Sequence, residues 1–379
     1  MPCSCFISKT LANGIRTVSV HVEFVVDDNK EVYRQFVRGC QHALVQHTWE
    51  WGQVVQGLGR DKPVYFLARD ETGRPVGALP AFVYDCDLGS LLISVPQAGG
   101  YGGVVVDDYT PKEEIYQCLL EALVAEACRL GCVLTTISTP PFFGARELYH
   151  QYFKPDFERE NFYQFLDLRT DFLAETTSKK RSNIRRNIRR NIRRAREGGL
   201  IVTFDDMQDR FEQWYSIHQK RMSELGSPPL SSAFFKEARK HLFEDRLGFF
   251  AYVLDGEKVV AGALFAGLNH VLDIFMMSAD SNYFDKQPNS LLVFETLKYA
   301  QGMGYRYYNW QSSSSRESGV YHYKKGWGSQ EGSHYYLTRI TGDISRLEHT
   351  PLEIIKDRYR WHYVMPYERF RTSQAEENH

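Results

Sequence analysis

The side chains best suited to chemistry lie between Tyr305 and Gly328, in a stretch that reads YRYYNWQSSSSRESGVYHYKKGWG. Its first six residues predict an aromatic-rich strand, which then opens onto a run of serines. Ligands of α/β sheets bind at strand ends of this kind, where small polar residues leave room. A solvated loop between two strands is the alternative, and the aromatic and lysine side chains clustered around glycines weigh against it. The candidate residues of this loop are Ser315, Arg316, Tyr323, Lys324 and Trp327.

A second stretch, residues 179–196, is strongly basic: KKRSNIRRNIRRNIRRAR has ten Lys and Arg and no acid, on a chain of net charge −1. Ile184, Ile188 and Ile192 recur every four residues, so a helix would gather them into a narrow apolar stripe with arginines around it. Like charges one turn apart repel, so an anion such as RNA or a nucleotide phosphate would stabilise this helix. A solvated basic face is the alternative. The arginines are Arg185, Arg186, Arg189, Arg190, Arg193 and Arg194.

A glycine-rich loop, QAGGYGG at 97–103, follows a predicted strand. Glycines there permit positive φ angles and the close approach of a ligand to backbone amides. The loop is neither a Walker loop nor a dinucleotide fingerprint, and a tight structural turn explains it equally well. The candidate binding residues are Gly100, Tyr101 and Gly102.

His218 and Arg221 lie three residues apart on a predicted helix over 211–225. At that spacing the two side chains share a face, where they could bind a phosphate or simply be exposed.

Composition places the chain among ordinary globular proteins, with 43% hydrophobic and 25% charged residues. Its 379 residues predict two or three domains. No apolar run is long enough for a membrane span, and the N-terminus lacks the apolar core of a secretory signal, so a cytoplasmic location is expected. Seven cysteines without a CxxC pair indicate neither a disulfide framework nor a zinc site, and no GxSxG or HExxH motif is present.

Two groups of elements recur along the chain in the same order. A strand–turn–strand unit containing Gly-Ala-Leu occurs at 77–79 and again at 262–264, and a helix ending in glycine before a strand occurs at Gly131 and again at Gly304. This repetition predicts a duplicated α/β module, each copy a mixed, mostly antiparallel sheet flanked by helices. The predicted domains are 1–170, 171–343 and a helical tail at 344–379 that packs across the joint.

Taken together, these motifs resemble the Fem-type peptidyltransferases and the broader FemAB-related group, which are tandem GNAT-like acyltransferases. The resemblance is carried by the opening of the second half, KKRSNIRRNIRRNIRRAREGGLIV, by the helix IHQKRMSELG, and by the run SSSSRESGVYHYKKGWG. It covers about Trp49 to Ile340. The long helical hairpin that cell-wall Fem enzymes often carry in the second domain has no counterpart in this sequence.

The resemblance implies an enzyme that forms an amide bond, in which an amine acceptor attacks an activated acyl carbonyl. It places Lys324 near the reacting carbonyl or a phosphate, where an ammonium stabilises developing negative charge. It places the acceptor near Gly100, Tyr101 and Gly102, with His218 and Arg221 also on the acceptor side. The donor would enter through the second domain.

The donor remains open between two classes. GNAT enzymes that use acyl-CoA bind its pyrophosphate on a glycine-containing loop that opens a helix. The corresponding stretch here, SADSNYFDKQPNSLL at 278–292, contains no glycine. This favours aminoacyl-tRNA as the co-substrate, bound by the arginine helix, with an amine-bearing precursor as acceptor and no further cofactor or metal. The alternatives are an acyl-CoA-dependent N-acyltransferase of polysaccharide or natural-product synthesis, and a non-catalytic RNA-binding protein of the same fold.

Overall fold

The computed structural model describes residues 20–59, 61–94, 100–108, 112–169, 179–313, 315–360 and 365–370, with the backbone alone for 179–182. Two compact units emerge. The first consists of residues 1–161 and 333–379, and the second of residues 162–332. These ranges differ from the predicted domains, because residues 333–379 belong with the first unit.

The strands and helices are numbered in chain order. The strands are β1 His21–Phe24, β2 Asp61–Arg69, β3 Pro75–Tyr84, β4 Leu91–Ser94, β5 Val105–Val106, β6 Leu134–Ser138, β7 Phe157–Asp167, β8 Leu200–Phe204, β9 Gly248–Asp255, β10 Lys258–Leu268, β11 Val271–Ala279, β12 Tyr307–Asn309 and β13 Gln330–Ile340. The helices are α1 Lys30–Gly39, α2 Trp49–Gly57, α3 Lys112–Arg129, α4 Arg146–Leu148, α5 Lys179–Glu197, α6 Gln208–Glu224, α7 Ser232–Leu242, α8 Pro288–Gly302, α9 Gly319–Lys325, α10 Ser345–Glu348 and α11 Leu352–Arg358. Short 3₁₀ or π turns lie at Val45–His47, Tyr149–Phe153, Ser281–Lys286 and Tyr367–Phe370.

The predicted hairpins form as their turn residues require. Between β2 and β3, the Asp70 carboxylate accepts hydrogen bonds from the amides of Thr72 and Arg74, both at 3.0 Å, and Gly73 has a φ of +82°. Between β9 and β10, Gly256 has a φ of +60°. Side-chain capping by aspartate and a glycine in the left-handed region are what tight turns of this kind use.

Each unit contains a sheet with the same internal order. In the first unit the order is β1-β2-β3-β4-β6-β13, with β5 paired to β3, and in the second it is β8-β9-β10-β11-β12-β7. Most pairs are antiparallel, but β4 pairs with β6 in parallel and β11 pairs with β12 in parallel. In both units the parallel pair is joined by one long helix, α3 or α8. The predicted mixed α/β fold, two tandem GNAT-like domains, is confirmed.

The cores follow from the apolar faces of these elements. In the first unit the buried face of α3 packs on β2 and β3, with Leu119, Leu120 and Leu123 inaccessible to solvent. In the second unit Leu291, Leu292 and Leu297 of α8 are buried in the same way. Burial of this kind contributes roughly 1.5–3 kcal/mol per large apolar side chain.

The C-terminal segment departs from the prediction of a helix across the domain joint. Leu347, Ile355 and Tyr359 are buried in a cluster with Tyr84 and Leu91 of the first unit. The Tyr84 hydroxyl donates to the Arg358 carbonyl at 2.6 Å. The segment is therefore part of the first unit. No helix in the described part of the chain has the length and hydropathy that crossing a membrane requires.

Candidate active site

The sheet of the second unit opens where β11 and β12 separate. The two strands pair in parallel over three residues only, from Val271 opposite Tyr307 to Asp273 opposite Asn309. At the last pair, the buried Asn309 amide donates to the buried Asp273 carboxylate at 2.7 Å. We call this point the fork.

Beyond the fork, β11 continues to Ala279 while the chain after β12 turns away. Gln311 has a φ of +58°, a left-handed conformation that a non-glycine residue adopts at some cost. Residues 274–279 of β11 consequently have no strand on this side among the described residues. An open strand edge offers backbone donors and acceptors to a bound ligand.

A β-bulge lies in β11 just beyond the fork. Leu264 of β10 faces Met276 and the next residue, Phe265, faces Ile274, so that Phe275 is an extra residue in β11. Bulges are frequent beside active sites because they redirect a strand locally. The open edge and the bulge together mark this end of β11 as a place for chemistry.

Lys324 is held at the same strand end. It lies on α9, which Ser318 begins by accepting a hydrogen bond from the Tyr321 amide at 3.2 Å. The Lys324 side chain is buried, and its Nζ donates to the carbonyl oxygens of Ser312 at 2.8 Å and Gln311 at 3.1 Å. Burial lowers the pKa of Lys324 from 10.5 to about 7. An ammonium has three N–H donors, so two carbonyls orient the group and leave one donor for a reacting atom.

Gln164 of β7 is hydrogen-bonded to both elements that form this site, the chain after β12 and helix α9. Its carbonyl accepts from the Trp310 amide at 2.8 Å and its amide donates to the Gln311 carbonyl at 3.3 Å. Its side-chain amide donates to the Tyr321 carbonyl of α9 at 3.2 Å. Sequence reasoning missed Gln164, because nothing in the local pattern of β7 marks it.

The fork residues were also missed, although the sequence contains a signal for them. Asp273 and Asn309 interrupt otherwise apolar or aromatic strands, VLDIF and YYNW. Buried polar residues in such strands need a partner, and here they are each other's partner.

The predicted loop residues divide between the site and the surface. Tyr323 and Trp327 pack on Trp310, whose ring centroid lies 6.1 and 6.3 Å from theirs. The carbonyl of Ser315 accepts from the Ser318 hydroxyl at 2.8 Å, which shapes the turn before α9. Arg316 is exposed and pairs with Glu331 at 2.7 Å.

The structure separates His218 from Arg221. His218 is fully buried on α6, where its Nδ1 lies 3.1 Å from the Ser278 hydroxyl of β11, and burial lowers its pKa to about 4. Arg221 is half-buried and pairs with Glu224 at 2.9 Å. The two side chains therefore do not form a joint phosphate clasp, and their acceptor-side role stays a prediction.

The basic segment forms α5 with the predicted apolar stripe. Ile188 and Ile192 are buried in the core of the second unit, and Ile184 is partly buried against it. On the outer side, Arg186, Arg190 and Arg194 are exposed one turn apart. Within the described part of the chain, none of these three has a carboxylate at ion-pair distance. The other predicted arginines of α5 are Arg185, which is half-buried, and Arg189 and Arg193, which are exposed.

Comparison with known proteins finds a family model that resembles part of this chain. Residues 182–325, from α5 to α9, match the family described as acetyltransferase (GNAT) domain. These residues are therefore similar to a GNAT acetyltransferase domain. The chain is accordingly a transferase, as the resemblance implies.

Solved structures show the same fold over nearly the whole chain at low sequence identity. The crystal structure of FemX has a TM-score of 0.65 at 14% identity, over 83% of this chain and 97% of that chain. The C-terminal domain of a putative lysylphosphatidylglycerol synthetase from Agrobacterium fabrum has a TM-score of 0.56 at 11% identity, over 84% and 93%. A tandem GNAT protein from the clavulanic acid biosynthesis pathway has a TM-score of 0.50 at 13% identity, over 85% and 99%. Among curated proteins, none matches the sequence significantly.

In the second unit, the amides of the segment from the end of β11 through the first turn of α8 form internal hydrogen bonds. The amides of Asn282, Tyr283, Gln287, Ser290 and Leu291 donate to acceptors within the segment, at 3.0–3.3 Å. Pro288, the first residue of α8, has no N–H. The Asp280 carboxylate is one of the acceptors, and it lies 3.9 Å from the ammonium groups of Lys220 and Lys258. Amides that are engaged in this way are not free to bind a pyrophosphate.

Helix α5 runs parallel to α8 in the second unit. The Asn191 side chain donates to the Ser290 hydroxyl at 3.5 Å, and Arg196 pairs with Glu295 at 2.6 Å, the same offset at both contacts. Since α5 begins twelve residues before Asn191 and α8 only two before Ser290, the first turns of α5 extend past the start of α8. Arg186 lies on these turns, and Arg190 lies level with the first turn of α8.

The glycines of the predicted acceptor loop belong to the first unit and allow close packing. Gly100 has a φ of +115°, and a Cβ atom on Gly102 would lie 1.7 Å from the Ser94 carbonyl oxygen. Tyr101 between them is buried against the His334 ring, with centroids 5.1 Å apart. The rest of the loop, 97–99, lies outside the described residues. Among the described residues, no group of His, Cys, Asp or Glu is arranged to hold a metal ion.

We expect Gly102→Ala to destabilise the protein strongly, because the backbone oxygen of Ser94 cannot move aside as a flexible side chain could. Overpacking of this kind costs about 1–3 kcal/mol or more. Thermal unfolding monitored by circular dichroism measures the loss. Gly144→Ala is the matched control, because nothing lies within 4 Å of its Cβ position. Equal melting temperatures for the two variants would contradict the packing role of Gly102.

Proposed function

We propose that the protein makes amide bonds by transferring an aminoacyl group from aminoacyl-tRNA to an amine-bearing precursor. The observation that carries this proposal is the buried Lys324 amine, held by two backbone carbonyls at the fork of a GNAT domain. The site offers an open strand edge for the acyl group and a donor for its carbonyl oxygen. Both are what acyl transfer needs.

The reaction would proceed through a tetrahedral intermediate. The acceptor amine attacks the ester carbonyl, a C–N bond forms, and the carbonyl oxygen becomes an oxyanion. The third N–H of the Lys324 ammonium donates to that oxyanion, while the Gln311 and Ser312 carbonyls keep the ammonium oriented. The C–O ester bond then breaks, and the amine proton passes to the ribose hydroxyl that leaves.

The exposed arginines of α5 support RNA as the carrier of the acyl group. Arg186, Arg190 and Arg194 are spaced at about 6 Å along the helix, from the 1.5 Å rise per residue. These three cations have no carboxylate partner among the described residues, on a chain of net charge −1. A row of such cations is a local feature suited to binding a polyanion. Phosphodiester contacts by such side chains supply affinity without reading sequence.

The engaged amides before α8 weigh against acyl-CoA. A pyrophosphate bound there would have to displace the internal hydrogen bonds of five amides. The fold shared with FemX and with a putative lysylphosphatidylglycerol synthetase agrees with aminoacyl transfer. An acyl-CoA-dependent N-acyltransferase is the second candidate, because residues 182–325 match an acetyltransferase family.

The two candidates differ in which donor is consumed. The test incubates the protein with bulk tRNA charged with labelled amino acids, or with labelled acetyl-CoA, and a low-molecular-weight extract as the source of acceptor amines. We expect labelled amide product from charged tRNA, and none after ribonuclease treatment. Acetyl transfer that ribonuclease does not affect would establish the second candidate instead. RNA binding without transfer from either donor would exclude both.

A further inference from the structure

The first unit contains a cavity of about 610 Å³ to which the proposed reaction assigns no role. It is lined by the start of β7, by β13 and by the C-terminal turn Tyr367–Phe370 with the proline before it. Phe157 and Pro366 form its apolar wall. Small-molecule sites are typically concave, of about 300–1,000 Å³, with apolar walls and a few convergent polar groups. The volume of this cavity lies within that range.

Strand alternation decides which side chains face the cavity, because successive residues of a strand point to opposite sides of the sheet. The Arg159 guanidinium of β7 lies 4.8 Å above the Tyr336 ring of β13, so these two side chains share the cavity face. The Arg146 guanidinium lies 4.9 Å above the ring of Tyr335, on the other face. There it pairs with Glu158 at 2.6 Å. The cavity therefore faces the Arg159 cation, while the Glu158 carboxylate is turned away from it.

The floor of the cavity offers hydroxyl donors. The Tyr336 hydroxyl accepts a hydrogen bond from the Asn161 side chain at 2.8 Å, so its own hydrogen is left for another acceptor. The buried hydroxyls of Thr338 and Thr136 lie 2.9 Å apart. Because one of them donates to the other, the second also has a hydrogen left to donate. A ligand that supplies acceptor oxygens would satisfy these donors.

Two arginines and one glutamate supply the charge of the cavity lining. The Arg159 guanidinium lies 3.6 Å from the Glu368 carboxylate, and the two side chains are 39% and 60% exposed. Arg369 pairs with Glu348 at 3.1 Å at a similarly exposed position. Ion pairs as exposed as these contribute little to stability, so a ligand anion can replace the protein carboxylate at small cost.

The charge of Arg159 also acts on the residues beneath it. His334 is buried beside Tyr336, with ring centroids 5.1 Å apart. Burial, together with the Arg159 charge, lowers the pKa of His334 to about 3, so this imidazole stays neutral at neutral pH. Burial raises the pKa of Tyr336, and the Asn161 hydrogen bond and the Arg159 charge oppose that rise. The Tyr336 hydroxyl therefore keeps its proton at neutral pH and remains a donor.

We propose that this cavity binds an organic anion, a carboxylate or phosphate ester that carries an apolar group. The anionic oxygens would accept hydrogen bonds from Arg159, Arg369 and the Tyr336 hydroxyl, and the apolar group would rest on the apolar wall. A neutral ligand would not compete for the guanidinium groups, and an inorganic anion would leave the apolar wall uncovered. This inference depends neither on the acyl donor nor on Lys324.

The test measures binding by isothermal titration calorimetry with the full-length protein. The probes are phenyl phosphate and phenylacetate, and the one that binds more tightly identifies the anionic group that the cavity favours. We expect saturable binding of that probe. Phenylacetamide, which lacks the charge, and inorganic phosphate, which lacks the ring, should each bind at least tenfold more weakly.

Two arginine variants test whether the cavity is the binding site. Arg159→Gln should weaken binding of the tighter probe at least tenfold. Arg146→Gln is the matched control, because Arg146 also pairs with a glutamate and lies over a tyrosine of β13, but on the opposite face of the sheet. It changes the net charge by the same amount and should leave binding unchanged.

The inference would be overturned by no saturable binding of either probe, by equal binding of phenylacetamide or inorganic phosphate, or by wild-type binding in Arg159→Gln. Equal losses in the two arginine variants would also contradict it. Circular dichroism of each variant separates loss of binding from loss of fold. Lys324→Met should bind the probe like wild type, so that failure of the transfer reaction and failure of this site are distinguished.

Discussion

Replacing Lys324 with methionine is expected to lower kcat/KM for transfer about 100- to 1,000-fold. Loss of one preorganised donor at an oxyanion has an effect of this size. Methionine keeps the length and apolar body of the lysine side chain, so that the buried site remains filled. Steady-state transfer of the labelled aminoacyl group measures the change.

The neighbouring lysine provides a matched control for this substitution. Lys325 is exposed on the same helix, where its Nζ lies 3.4 Å from the Tyr321 hydroxyl. Lys325→Met should retain wild-type activity within a factor of about three, because only the buried ammonium of Lys324 is expected to stabilise the oxyanion. Equal losses for the two variants would assign Lys324 a structural role alone.

The pH dependence follows from the pKa of about 7 at Lys324. Because the ammonium is the working form, the Lys324-dependent part of kcat/KM should fall as pH rises through about 7. An activity that instead rises through this pH and levels off would make the neutral amine a proton acceptor, against the role proposed here.

The lowered pKa of Lys324 also makes the protein more stable as pH rises above 7. Between pH 7 and 10.5 the unfolded chain retains the Lys324 proton while the folded protein loses it. The free energy of unfolding of the wild-type protein therefore increases as pH rises through that window, because the unfolded state binds the extra proton. The Lys324→Met variant lacks this increase. Melting temperatures of the two proteins should shift relative to each other in favour of wild type between pH 7 and 10.

Replacing Arg186, Arg190 and Arg194 together with glutamine is expected to weaken the binding of uncharged tRNA and flatten its dependence on salt. Each phosphate contact on a single strand contributes about −0.7 to the slope of log K against log salt, so removing three of them reduces the slope by about 2. Fluorescence anisotropy between 50 and 200 mM salt measures both quantities. Transfer from charged tRNA should fall in parallel, through KM more than kcat.

A triple variant elsewhere on the surface controls for net charge. Arg74, Arg129 and Arg146 are exposed arginines of the first unit, and each pairs with a carboxylate. Their replacement with glutamine changes the net charge by the same amount and should leave the salt slope unchanged. A slope that is equally flat in both variants would indicate a general charge effect, and α5 would then be a solvated helix.

Much of the fold could be predicted from the sequence because its signals are local. The Asp-Gly turns, the glycines that end α3 and α8, and the isoleucines of α5 each act within a few residues. The recurring Gly-Ala-Leu falls on corresponding strands, β3 in the first unit and β10 in the second. Local patterns repeated in the same order were enough to predict two tandem modules.

The candidate site could be predicted only in part, because its geometry depends on contacts between distant residues. The motif around Lys324 singled it out in the sequence. The carbonyls that orient its side chain are positioned by hydrogen bonds from Gln164, which precedes the loop by more than a hundred residues. The spacing of His218 and Arg221 predicted a shared face, whereas packing against Trp214 and Ser278 buries one and leaves the other near solvent. Burial is a property of the assembled core, and helical periodicity specifies it only approximately.

The discontinuous make-up of the first unit has a consequence for how the chain folds. Strand β13 pairs with β6 across about 200 residues, whereas every strand pair of the second unit lies within one continuous segment. During synthesis, residues 162–332 can therefore complete their sheet before the first unit does. The partner of β6, strand β13, is synthesised only afterwards. We therefore expect dependence on chaperones during synthesis to be greater for the first unit, whose sheet is begun first and completed last.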